Sequence, residues 1–389
     1  MTAHRPTRRR RAAGRLLVPV VLALLGLCAP VAAGSAAAAT LPSVAASDGA
    51  ATSSADPTPG KPLILAHYYI WFDPTSWNRA KQDYPLAGRY SSDDIDVMRK
   101  QVQQAKSAGI GGFIVSWKST PVLNARLHAL VTIAASEHFK LAITYQGLTF
   151  DRLNLPPARV GDDLDAFIAD FASNPVFDIF GKPMVVLTGT PGLSVADVTT
   201  IVAPRRKQLL ILATEKNLKG YQRLADIVDG DLYYWSSVNP ATYKDFAAKL
   251  AGMGQAVRAH DGIWIAPAAP GFDARMVGGT SRVDRNGGAT LRTEWAAADA
   301  SLPSAIGLIS WNEYSENTYL EPSRQYGDSY LKEVASLAGA AVPTAVDFDS
   351  SEPTGLTSLW RPAGIFAGVA ALMVACAVVA FRRGRRTAP

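Results

Sequence analysis

The sequence predicts an α/β fold, a single (β/α)₈ or TIM barrel forming one catalytic domain, followed by a C-terminal transmembrane helix. Three observations carry this. Eight short apolar, β-branched or aromatic runs alternate with helical periodicity over residues 63–340. No linker-like break interrupts those 278 residues, a length that suits one barrel of about 250. An uncharged apolar run of 20 residues, Pro362 to Phe381, stands near the C terminus.

From the N terminus, Arg5, Arg8–Arg11 and Arg15 precede an apolar stretch from Leu16 to about Ala33 and the small residues Ala36–Ala39. That order reads as a secretory signal peptide over residues 1–39, cut near Ala39. Residues 40–62, rich in Ala, Ser, Thr, Pro and Asp, read as a disordered linker.

The expected strands are Leu63–Trp71, Ile110–Trp117, Leu141–Gln146, Met184–Thr188, Leu209–Ala213, Ile227–Trp235, Ile263–Ala266 and Ala305–Trp311. Helices are expected at Asp93–Ala108, Val122–His138, Asp162–Ala172, Pro240–Arg258, Thr290–Ala300 and Gln325–Ala338, where apolar residues recur every three or four positions. Ser91, Ser92 and Asp93 are the cap candidates for the first helix. A doubly wound open sheet would show the same alternation. It would also carry a glycine-rich loop after its first strand, where this chain has Tyr68-Tyr69-Ile70-Trp71-Phe72-Asp73-Pro74.

Residues 341–359, around Pro343 and Pro353, read as a stalk, residues 360–381 as the membrane span and residues 382–389 as a cytoplasmic basic tail. Arg382, Arg383, Arg385 and Arg386 keep that tail inside, so the folded region is expected outside, on a single-pass protein of the cell membrane. The formal charge of +6 is misleading about partners. Residues 1–39 and 360–389 hold 11 of the 39 basic residues and none of the 33 acidic ones, leaving the exported part at about −5. That excludes a basic nucleic-acid footprint. The only cysteines, Cys28 and Cys376, lie outside the expected domain, which therefore has neither a disulfide nor a thiol nucleophile. Five scattered histidines form no metal-ligand spacing, so no metal and no cofactor are expected, and a monomer is.

In such a barrel the active site forms at the C-terminal ends of the strands. There the chain places Tyr68, Tyr69 and Trp71, then Trp117, Tyr145, Glu215, Tyr234 and Trp235, then Asp273 and Arg275, and finally Trp311, Asn312 and Glu321. Any one of these reads as packing. Their recurrence around the ring points to a cleft in which aromatic faces cover sugar rings while carboxylates and amides bond hydroxyls.

The sharpest segment is Ile309-Ser310-Trp311-Asn312-Glu313-Tyr314-Ser315-Glu316. A buried strand runs directly into two carboxylates spaced i, i+3. Glycosidic hydrolysis needs one protonated carboxyl for the leaving oxygen and a second carboxylate as base or nucleophile, which makes Glu313 and Glu316 the catalytic candidates.

The run Asn312-Glu313-Tyr314-Ser315-Glu316-Asn317-Thr318-Tyr319-Leu320-Glu321-Pro322 resembles the pattern N-E-W-H-E-G-T-Q-I-E-P of family 99 glycoside hydrolases. Those are retaining endo-α-mannosidases and α-mannanases. The neighbouring family 71, α-1,3-glucanases with an Asn-Asp pair at Asn312-Glu313, is similar too. The resemblance also takes in Ala66–Phe72, Gly109–Trp117, Phe177–Pro183 and Pro267–Arg275. It implies Glu316 as general acid/base. It implies Glu313 as the residue that bonds the sugar 2-hydroxyl and, as a base, turns it into an internal nucleophile. Ser315 and Asn317 depart from the family's His and Gly. The function expected is a membrane-anchored hydrolase of α-glycosidic bonds in a mannan- or glucan-type polysaccharide. A carbohydrate-binding or envelope protein without turnover, and a transglycosylase, are the alternatives.

Overall fold

The computed structural model describes residues 61–343 apart from 80, 150 and 342. The expected signal peptide, membrane span and basic tail, and all but a few residues of the linker and stalk, lie outside the described residues. Among the described residues no helix is long and apolar enough to cross a membrane.

The strands β1 (Leu63–Tyr69), β2 (Gly112–Trp117), β3 (Lys140–Tyr145), β4 (Met184–Leu187), β5 (Leu210–Ala213), β6 (Gly230–Leu232) and β7 (Ile263–Ala268) pair in parallel. A short antiparallel hairpin, β8 (Phe272–Asp273) and β9 (Arg282–Val283), follows β7. Strand β10 (Ala305–Leu308) then closes the ring between β7 and β1. All eight expected strands exist. The sixth is the most shortened, from 227–235 to 230–232, because Val228 turns back to Leu224. Gly230 is required there, since a Cβ would lie 2.0 Å from the Ile263 carbonyl oxygen.

Outside the barrel lie α1 (Ile95–Ser107), α2 (Pro121–Glu137), α3 (Pro157–Asp170), α4 (Val195–Val202), α5 (Leu218–Gln222), α6 (Phe246–Arg258), α7 (Ala289–Ala300) and α8 (Ser329–Ala338). The cap of α1 is Asp94, whose side chain accepts from Asp96 N and Val97 N, and not one of the three residues before it. Asp93 instead pairs with buried Arg126 at 2.6 Å, and Ser92 Oγ accepts from Phe72 N.

Strand side chains alternate between the barrel interior and the helix layer. Leu65, Ile114, Ala142, Met184, Val186, Leu212, Leu232 and Ile265 fill the interior. One residue along, Ala66, Tyr68, Phe113, Val115, Trp117, Ile143, Tyr145, Ile211, Trp264 and Leu308 face the helices and form the main core. Continued past each strand's end, this alternation decides which side chains reach the mouth.

Candidate active site

Glu313 and Glu316 stand on the connection after β10, which closes on itself before reaching α8. Ser310 N donates to Thr318 O at 2.8 Å, Leu320 N to Ser310 O at 2.9 Å, and Glu321 N to Trp311 O at 2.9 Å. Ser310 Oγ and Thr318 Oγ1 lie 2.9 Å apart across its base, and Ser310 Oγ also accepts from Glu313 N at 2.8 Å. Asn317 turns the loop at φ 56°, a left-handed conformation that asparagine tolerates and glycine adopts freely, which accounts for the exchange of the two at this position. Its Nδ2 donates to Asp273 O at 3.0 Å, and Arg285 Nη2 donates to the carbonyls of Asn317 and Tyr319. The loop is therefore a rigid platform.

The two glutamates occupy different surroundings. Glu313 is buried, with Oε1 accepting from Ser315 N at 2.8 Å. Burial raises its pKa, opposed by that N–H and by Lys81. Glu316 is partly exposed, and its backbone carbonyl accepts from Asp273 N at 2.7 Å. Burial and then the negative charge of Glu313 push its carboxyl up to about 7, opposed by Arg152. One carboxyl can thus hold a proton near neutrality while hydrogen-bond donors favour the ionised form of the other.

Tyr69 and Tyr234 face both carboxylates, whose charges add to burial in raising the phenols. Their hydroxyls lie 2.8 Å apart. Trp71, 40% exposed, tilts against Tyr69 with ring centroids 4.4 Å apart and offers an aromatic rim. Asp273 is held at about 2 by the half-exposed Arg275 guanidinium, bonded at 2.7 Å and 2.9 Å, and sits beside the loop through its contact to Glu316.

Other expected substrate contacts are corrected. Tyr68, Trp117, Tyr145 and Trp235 fall on the helix-facing side: Tyr68 Oη donates to Gln101, Trp117 Nε1 to Asn124 and Tyr145 Oη to Asp163, while Trp235 stacks on Phe246. Trp311 is fully buried against Phe113. Asn312 is also fully buried, accepting from Tyr69 N at 2.9 Å and donating to Tyr69 O at 3.0 Å, so it pins the end of β1 to the loop after β10. Glu321, raised to about 7 by burial, accepts from Gln101 and Tyr90 behind the site. Glu215 pairs with Arg223 at 2.7 Å, and Arg223 also bonds the carbonyls of Thr190 and Leu193, tying together the loops after β4 and β5.

The inward positions near the mouth that went unselected are His67, Ser116 and Gln146. Gln146 Nε2 donates to Ser116 Oγ at 2.9 Å, and the neutral His67, its pKa lowered to about 3 by burial, meets the Tyr234 ring edgewise at 4.9 Å. Strand alternation is the signal that finds them. Lys81 and Arg152, on loops with no motif, carried none. Among the described residues no cluster of His, Cys, Asp and Glu could hold a metal ion.

Two known structures of endo-α-mannosidase from Bacteroides thetaiotaomicron share this architecture, one of them in complex with bis-tris-propane. They are 19% and 20% identical, with TM-scores of 0.63 and 0.64, over 71% of this chain and 96% of theirs. A glycoside hydrolase-like protein aligns at 16% identity and a TM-score of 0.58, over 72% of this chain and 95% of its own. No curated protein matches the sequence. The model of glycosyl hydrolase family 99 matches residues 73–328, a span that contains the self-closed loop and both of its glutamates. A chain matched over that span belongs to glycosyl hydrolase family 99 and is a glycoside hydrolase.

Proposed function

We propose that this chain is a retaining, endo-acting α-glycosidase of a mannan- or glucan-type polysaccharide, with α-mannosides the first substrates to test. The signal peptide over residues 1–39 would export it and be removed, and the helix over residues 360–381 would hold it, as a monomer, on the outer face of the membrane. The observation that supports the chemistry best is the unequal pair on one rigid loop, Glu316 raised to about 7 and Glu313 bonded by Ser315 N–H.

In the first step Glu313 takes the proton of the sugar 2-hydroxyl as its oxygen attacks the anomeric carbon. Glu316 gives its proton to the departing glycosidic oxygen. In the second, Glu316 removes a proton from water as the water opens the cyclic intermediate at the anomeric carbon, and Glu313 returns its proton to the 2-oxygen. Both carboxyls end as they began. Two displacements at one carbon preserve its configuration. Trp71 and the Tyr69–Tyr234 pair supply the surface on which a sugar ring stacks.

The test is to incubate the protein with α-mannans, α-glucans and bacterial wall polysaccharides, reading released oligosaccharides by mass and anomeric configuration by NMR. Short products that retain configuration are expected. Binding of a glycan without turnover of any would make the cleft a recognition site.

A further inference from the structure

Resting on the reading of Glu313 as the base, we infer that Lys81 is a positioning residue whose charge, delivered beside Ser315, keeps Glu313 the ionised member of the catalytic pair. Lys81 belongs to the connection from β1 to α1, and that connection is fastened on both sides of it. Before it, Asp73 caps a 3₁₀ turn over Pro74–Asn78, and buried Trp77 stacks on Phe72 at 4.8 Å and donates Nε1 to Tyr90 O at 2.6 Å. After it, Asp83 accepts from Tyr319 Oη at 2.7 Å and Gln325 N at 3.1 Å, and Leu86 N donates to Pro322 O at 2.9 Å. The segment is therefore bound to the catalytic loop, and it delivers one ammonium. Lys81 Nζ donates to Ser315 Oγ at 3.2 Å, while Ser315 N donates to Glu313 Oε1 at 2.8 Å.

The chain from ammonium to hydroxyl to backbone N–H to carboxylate ends on Glu313 and passes Glu316 by. Ser315 is small enough to admit it, and it stands where the family pattern has a larger histidine. The charged and titratable groups that face Glu313 are Lys81 from the β1–α1 connection, Tyr69 from β1, Tyr234 beyond β6 and Glu316 from its own loop. Arg79 faces Lys81, and Arg152 faces Glu316. Among the described residues, the only cation facing Glu313 is Lys81. A cation beside a carboxylate favours its charged form, so removing it moves that carboxyl upward.

The experiment uses Lys81→Met, which removes charge and hydrogen bond; Lys81→Gln, which removes the charge but retains a donor; and Lys81→Arg, which retains both. Each is read by the pH profile of kcat/KM on an α-mannan and by the titration of Glu313 in protein carrying ¹³C-carboxyl glutamate, assigned with Glu313→Gln. In Met and Gln variants alike, the acidic limb and the Glu313 titration are expected to rise by about one pH unit, with kcat/KM lower by up to roughly tenfold at the foot of that limb, and in Arg to stay with the parent. A Gln variant that keeps the parent's titration shows that Lys81 acts only through its hydrogen bond, and overturns the inference. Should the Met variant not fold, Gln against Arg still decides. The titration needs no turnover, so it tests the role of Lys81 even if the parent cleaves no α-glycan, an outcome that would instead refute the proposed activity.

Discussion

The substitution that tests the chemistry most directly is Glu316→Gln. With its carboxyl at about 7, Glu316 is about nine-tenths protonated at pH 6, against about 3% for an ordinary glutamate near 4.5. The environment therefore supplies roughly 30-fold more of the acid form at that pH. Glutamine keeps the side chain's shape and removes the transferable proton, so kcat/KM on a natural α-glycan should fall by about 10²–10⁴ while binding barely changes. The loss should depend on the leaving group. An aryl glycoside that departs with little protonation should recover much of the first step. On that substrate the parent's basic limb near pH 7 should disappear from the variant's profile. Glu313→Gln should stay slow on both substrates, because the attacking oxygen still lacks its base. The assay is a set of initial rates from pH 4 to 9 on an α-mannan and an activated aryl α-mannoside. Equal losses for Glu316→Gln on the two, with the basic limb unmoved, would falsify the assignment of Glu316 as the acid.

Trp117→Ala should cost about 3–5 kcal/mol of stability in a denaturant titration, since the ring packs between β2 and the helices; Trp71→Ala should leave stability within about 0.5 kcal/mol and raise KM up to roughly tenfold. The opposite pattern would show that the two faces of the barrel have been interchanged. Glu294 on α7 is fully buried, its Oε2 accepts from Ala269 N at 2.7 Å, and burial raises its pKa well above the ordinary value. The folded state then holds a proton that the unfolded state releases, so its contribution is present below pH 4.5 and lost as pH rises toward the folded value. Glu294→Gln retains the acceptor, and its denaturation midpoint should decline less than the parent's between pH 5 and 8; parallel declines would refute this. Deleting residues 360–389 should release active protein into the medium, and a deletion variant that stays in the membrane pellet would reveal another anchor.

Most of the barrel was legible because a strand buried on both faces leaves a continuous apolar run with nothing to confuse it at this length. The short helices α4 and α5 were not. Eight and five residues carry too few turns to show a period, and what marks α4 locally is its capping box, Ser194 with Asp197. The cap of α1 was missed by one residue because Ser91, Ser92, Asp93 and Asp94 are all good caps. Tertiary partners decide among them: Arg126 takes Asp93 and the Phe72 N–H takes Ser92.

The site was legible to the extent that local sequence could carry it. The two glutamates directly follow a strand, and the family motif spans the loop that closes around them. The aromatic ring was overread because strand alternation was not carried through to the strand ends. Tyr68 and Tyr69 are neighbours in sequence and lie on opposite sides of the sheet, one bonded to Gln101 beneath α1 and the other facing both carboxylates. The same alternation separates Trp117 from Ser116 and Tyr145 from Gln146. The outward aromatics still matter to the reaction through the framework: Tyr68, Gln101, Glu321, Tyr90 and Asn312 form a continuous hydrogen-bonded chain that ends on the backbone of Tyr69. That chain fixes where Tyr69 stands relative to Glu313 and Glu316. Residues such as Glu321 and Asn312 therefore belong to the motif as buried supports, because they hold in place the strand end that carries Tyr69.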